Sequence, residues 1–199
     1  NDNDPRLAVY AQENEDGDYR GKPSGYVDLP SDDYNYTNVS ALGEFYLRPE
    51  LPGFFVSYPE IKFLMAEAAT KGYISGGTAM ANKYYLDAIK ASLEYNEVPA
   101  ANIAAFLAEK VLATNQSDAL NQIATQNYIA LFSQGVESWT EWRRTGIPAL
   151  TPAIEGDLNE IPSRYNYPTT ENSINKTNYD AAVASQGPDL LTTPIWWMN

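Results

Sequence analysis

Residues 57–68 read Ser57-Tyr58-Pro59-Glu60-Ile61-Lys62-Phe63-Leu64-Met65-Ala66-Glu67-Ala68. Ser57 and Glu60 stand three apart as a capping box, and Pro59 falls in the first turn, where its missing N–H leaves no helical bond unmade. Ile61, Leu64, Met65 and Ala68 follow at i, i+3, i+4 and i+7. This spacing predicts a helix whose core face carries those four residues. Gly72 closes it, Ser75-Gly76-Gly77 is a turn, and Thr78 is the expected N-cap of a second helix running to about Tyr95. Ala81, Tyr85, Ala88, Ile89 and Ser92 share one face of that second helix.

Working outward, the spacing of Ala81, Tyr85 and Ala88 is that of the second helix of a tetratricopeptide hairpin. A lone hairpin leaves faces uncovered, so neighbouring helices or a further segment must cover them. A third helix is expected over about Ala100–Ala113, with Ile103, Phe106, Leu107 and Val111 inward. Ser117 or Asp118 caps a fourth, whose stripe is Leu120, Ile123, Ala124, Asn127, Tyr128 and Leu131 and whose end is Gly135. A short fifth, about Glu137–Thr145, carries Trp139 and Trp142 and is stopped by Gly146 and Pro148. On both sides the chain changes character. Residues 1–56 and 148–199 are rich in Pro and Gly, too interrupted for long helices, and only about Asn178–Ala184 reads as a further short helix. The expectation is a mainly α fold with low strand content, divided as a loop-rich segment 1–56, a helical region 57–147 and a C-terminal loop-rich segment 148–199. The last of these ends in the apolar tail Ile195-Trp196-Trp197-Met198, which should dock.

Composition removes many chemistries. The 199 residues include no His and no Cys, so Ser-His-Asp and Cys-His catalysis, disulfides and Cys/His zinc sites are excluded. With 13 basic and 26 acidic residues, the net charge of −13 opposes binding to nucleic acid or anionic lipid. No cofactor or metal is expected: Gly76-Gly77 lacks the following Lys-Ser/Thr of a phosphate loop, and Glu13–Asp18 lacks the spacing of a calcium loop. The start Asn1-Asp2-Asn3-Asp4 and the lack of an apolar run near the ~20 residues needed to span a bilayer fit a processed or partial chain.

What remains points to recognition by flat rings and amides. The 15 Tyr and 4 Trp suit the apolar faces of sugars, and the many Asn and Thr suit their hydroxyls. The candidate ligand-binding residues are Tyr19, Tyr26, Tyr34, Tyr36 and Tyr46, with Asp32 and Asn35 among them, because they lie on breaker-rich loops beside a rigid scaffold. Glu137, Glu141, Arg143 and Arg144 read as a structural ion-pair knot at a helix C-terminus, a substrate clamp being the alternative. The carboxylate pairs Glu60/Glu67 and Glu137/Glu141 are better explained by capping and ion pairing than by glycoside hydrolysis.

Six stretches in order carry a resemblance. They are Asn3-Asp4-Pro5-Arg6-Leu7; Ser57 through Ala68; Ala88-Ile89-Lys90-Ala91-Ser92; Gln126 through Pro148, with Glu141-Trp142-Arg143-Arg144-Thr145-Gly146; Ile161-Pro162-Ser163-Arg164-Tyr165-Asn166-Tyr167-Pro168 with Glu171; and Trp196-Trp197. Together they resemble the SusD/RagB family of surface glycan-binding lipoproteins, specifically its C-terminal portion. The resemblance implies a SusD-like, tetratricopeptide-containing helical protein on the outer-membrane surface of a Gram-negative bacterium, anchored by a lipidated Cys that this chain does not include. It implies capture of an oligosaccharide and delivery to a TonB-dependent SusC-type transporter, without catalysis. It also implies an N-terminal half of the same protein as a packing partner. In the competing reading this chain is the structural portion that contacts the transporter or that N-terminal half, and it has no ligand site of its own.

Overall fold

The computed structural model describes residues 3–25, 30 and 32–198, so Tyr26 lies outside the described residues. Among the described residues eight α-helices follow in order: α1 (Leu7–Tyr10), α2 (Tyr58–Thr70), α3 (Gly77–Tyr95), α4 (Ala100–Ala108), α5 (Gln116–Ala130), α6 (Gly135–Thr145), α7 (Thr169–Ile174) and α8 (Lys176–Gln186). A 3-10 turn covers Glu44–Leu47. Among the described residues the β content is one isolated antiparallel bridge between Ala11 and Leu42. The fold is mainly α, as the periodicity predicts. The chain forms two compact units, residues 1–22 with 29–139 and residues 23–28 with 140–199.

In the first unit, α2 and α3 form the expected hairpin. The Ser57 hydroxyl accepts from the Glu60 N–H, and the Glu60 carboxylate accepts from the Ser57 N–H, so the capping box is complete. The buried face of α2 is not the expected one. Phe63, Ala66 and Ala69 are buried, whereas Ile61 and Leu64 remain 42% and 41% exposed. This helix is apolar on two sides, and the small residues Ala66 and Ala69 are the ones that let α3 approach. On α3 all five expected residues, Ala81, Tyr85, Ala88, Ile89 and Ser92, are buried. Gly76, at φ 111°, rather than Thr78, occupies the N-cap.

Two further expectations need correcting. The third helix, α4, stops at Ala108, so Val111 is exposed and Leu112 is buried in its place. The cap of α5 is Asn115, whose side chain accepts from the Asp118 N–H, and Gly135 begins α6 rather than ending α5. Ile123, Ala124, Asn127 and Leu131 of the expected stripe are buried.

The first segment is more structured than its Pro and Gly content suggests. Arg6 is fully buried. Its Nε donates to Asp4 Oδ1 at 2.9 Å, one terminal nitrogen donates to Ser92 Oγ at 3.1 Å, and the other donates to Gln126 Oε1 at 2.6 Å. One guanidinium thus ties the chain start to α3 and α5. Gly43 then brings the 3-10 turn against α1, where a β-carbon would lie 1.8 Å from the Val9 carbonyl oxygen.

In the second unit, Arg164 is the central charge, 7% exposed. It pairs with Asp189 at 2.9 Å and lies over the Tyr167 ring at 4.7 Å. Arg143 donates to the Ser163 carbonyl at 3.1 Å and covers the Trp197 ring at 4.9 Å. The tail therefore docks in this unit through Trp197, while Trp196 stays 91% exposed.

Candidate functional site

The 3-10 turn and the end of α3 build an aromatic cluster in the first unit. Tyr10 stacks on Phe132 at 4.1 Å, and Tyr46 meets both rings edge-on. Tyr46 donates its hydroxyl to Asn96 Oδ1 at 2.7 Å, and Asn96 in turn donates to the Ser92 carbonyl at 2.7 Å. Because Arg6 bonds the Ser92 hydroxyl, a polar chain runs from the buried guanidinium to the Tyr46 ring. Burial, followed by the neighbouring Tyr10 and Tyr95, raises the Tyr46 phenol above its ordinary value, and burial raises Tyr10 likewise.

Beside this cluster lies a groove of about 640 Å³, within the range of roughly 300–1,000 Å³ seen for small-molecule sites. Its lining comes from Tyr46, the 51–54 loop, the start of α2, the last turn of α3, the 132–134 turn and the start of α6. Tyr95 lines it, with the rings of Phe45 and Phe54 edge-on at 5.5 and 5.1 Å. Its polar side chains include Ser57, Glu94, Gln134 and Glu137, and no Lys or Arg is among the described lining residues. The surface is one for an amphipathic, hydroxyl-bearing ligand, with rings for apolar faces and acceptors for donors.

Of the residues picked out in the sequence, Tyr46 lines this groove and Glu137 stands at its edge on α6. Tyr19, Tyr34, Tyr36, Asp32 and Asn35 are not among its described lining residues. Tyr36 is 84% exposed, while Tyr34 lies under the Arg20 guanidinium at 4.8 Å. The Asn35 side-chain oxygen Oδ1 accepts from the Thr37 N–H, the Thr37 hydroxyl and the Asn38 N–H, so it closes its own turn. Asp32 offers its backbone carbonyl to Asn38 of the same loop. At the C-terminal end of α6, Arg144 grips Glu141 through two bonds of 2.8 Å, and Arg143 turns instead to Thr140 and Ser163.

A family model described as starch-binding and associating with the outer membrane, SusD-like, matches residues 1–168. The chain belongs to the SusD-like family. Solved SusD-like structures share its fold. A SusD homolog from Bacteroides fragilis NCTC 9343 is 27% identical, with a TM-score of 0.83 over 99% of this chain and 49% of its own. Another, from Bacteroides thetaiotaomicron VPI-5482, is 26% identical, with a TM-score of 0.82 over 99% of this chain and 49% of its own. A chitin-binding protein is 28% identical, with a TM-score of 0.80 over 100% of this chain and 47% of its own. No curated protein matches the chain. The SusD-like chain spans about half the length of these solved structures.

Phe54, Tyr95 and Gln134 stand outside the residues that the sequence of this SusD-like chain singles out. Tyr95 reads as the end of the second helix and Gln134 as the end of the fourth, just before Gly135. Only the adjacent Phe54-Phe55 after Pro52-Gly53, an apolar pair in a breaker-rich stretch, carries a local signal.

Proposed function

We propose that this chain is the C-terminal portion of a cell-surface glycan-capture protein that passes oligosaccharide to a TonB-dependent SusC-type outer-membrane transporter, without chemistry of its own. The observation that carries this reading is membership of a family described as starch-binding and outer-membrane-associated. The likeness to a chitin-binding protein over the whole chain supports it. So do the loop and groove tyrosines, with Tyr19 and Tyr36 exposed, Tyr34 half-buried beside them and Tyr46 in the groove. Among the described residues no helix is long and apolar enough to cross a membrane, which suits attachment by other means. The absence of catalysis is supported by the carboxylates: Glu60 caps α2, Glu67 pairs with Lys71 at 2.6 Å, and Glu141 holds Arg144.

A calorimetric screen against starch- and chitin-derived oligosaccharides tests the reading, with a Tyr34→Ala/Tyr36→Ala double variant alongside. At least one glycan is expected to bind without being cleaved. A folded chain that binds none of them overturns the proposal, and hydrolysis overturns its non-catalytic part. Loss of binding in the double variant places the sugar on the 32–38 loop.

A second reading, structural contact with the transporter or with an N-terminal half, is favoured by the row of exposed apolar residues on α2, Tyr58, Ile61 and Leu64, next to Phe55. It predicts dye binding and self-association of the isolated chain, both relieved by Ile61→Glu/Leu64→Glu. A compact, dye-silent monomer counts against it.

A further inference from the structure

We infer that the groove over the last turn of α3 is a saccharide site that accepts uncharged sugars and rejects acidic ones; this rests on the glycan-capture reading above. The aromatic part comes from Tyr46, Tyr58 and Tyr95 among the lining residues, with the Tyr95 ring fixed by Phe45 and Phe54. Rings held in this way cover the C–H faces of a sugar while losing little freedom on binding.

The polar part is acidic at the lining itself. Glu94 and Glu137 are acceptors and no Lys or Arg is among the described lining residues, although Lys90 pairs with Glu94 at 3.4 Å and Lys62 lies over the Tyr58 ring at 5.3 Å from outside it. Gln134 also lines the groove and brings an amide to it. Two helix N-termini, those of α2 and α6, open on the groove, and positive helix ends attract anions. Each, however, carries its own acidic residue in the first turn, Glu60 and Glu137, so that attraction is already met from within the chain. The net charge of −13 adds a field of the same sign. A neutral pyranose therefore satisfies both the rings and the acceptors, whereas a uronic acid brings its charge towards Glu137 with no lining cation to meet it.

The test is calorimetric titration of the chain at low ionic strength with maltoheptaose, chitohexaose and a galacturonic-acid heptamer. Wild type is expected to bind a neutral oligosaccharide at least about tenfold more tightly than the acidic one. Tyr95→Ala is expected to weaken neutral binding about tenfold. Glu137→Lys, at the start of α6, is expected to raise affinity for the galacturonic-acid heptamer at least about fivefold. The Glu137 variant keeps the test open if loss of the Tyr95 ring unfolds the chain. Neutral binding unchanged in both variants overturns the groove as the site and leaves the capture reading standing. Equal affinity for acidic and neutral glycans overturns the selectivity. No binding to any of the three, in a folded chain, overturns the capture reading and this inference with it.

Discussion

Arg6 joins three separate stretches of the first unit through one side chain. Fully buried, it pairs with Asp4 and bonds residues of two helices, and through Ser92 it reaches the Asn96–Tyr46 contact that holds one wall of the groove. Arg6→Ala would leave the Asp4 carboxylate without its guanidinium and the Ser92 and Gln126 oxygens without that donor, and is expected to cost about 3–5 kcal/mol in urea unfolding. Arg6→Lys, which keeps the charge but loses the planar fork, should fall between the variant and wild type. Asp4 adds a pH dependence. Burial alone would raise its pKa, but the hydrogen bonds and charge of Arg6 outweigh that and hold it below the ordinary carboxylate value. A depressed folded value contributes stability that is present above the unfolded pKa and lost as pH falls through the folded one, hence below about pH 4. The fall in unfolding free energy over that window is expected to be shallower in Asp4→Asn than in wild type. In the sequence, Arg6 is legible only as part of a family motif, since nothing in Asp4-Pro5-Arg6 says that a guanidinium will be buried.

Elements were readable where local chemistry alone decides them. The capping box at Ser57 and Glu60 formed as its spacing requires, and the α3 stripe is buried residue for residue. Ser57→Ala should therefore destabilise the chain by about 1 kcal/mol in chemical denaturation. The face of α2 was not readable, because Ile61, Leu64, Phe63 and Ala66 make it apolar on two sides and the helices packed on it, α3 and α5, select one. The 3-10 turn was hidden for a related reason. Gly43 sits where two backbones touch, a fact of tertiary structure rather than of spacing. Gly43→Ala would force its new methyl group into the Val9 carbonyl. The variant is expected to lose more stability than Ser57→Ala, with a visible change in near-UV circular dichroism from the Tyr10–Tyr46–Phe132 cluster.

On the scale of the whole molecule, the absence of His and Cys excludes metal-thiolate and histidine chemistry from this chain's own residues, and the charge of −13 opposes anionic partners. The family motifs spread along the sequence carry the fold. The candidate site is legible only in part. Tyr46 was visible as a loop tyrosine, but Tyr95, Phe54 and Gln134 come together from three separate elements of the first unit. No period in the sequence marks residues that meet only after folding. The measurement that reaches the central claim most directly is amide chemical-shift mapping of the chain during titration with maltoheptaose or chitohexaose. Saturable shifts clustered at residues 46, 57–58, 91–95 and 132–137 are the expected result. Shifts confined elsewhere, or none from either sugar in a well-dispersed spectrum, would contradict a saccharide site in this groove.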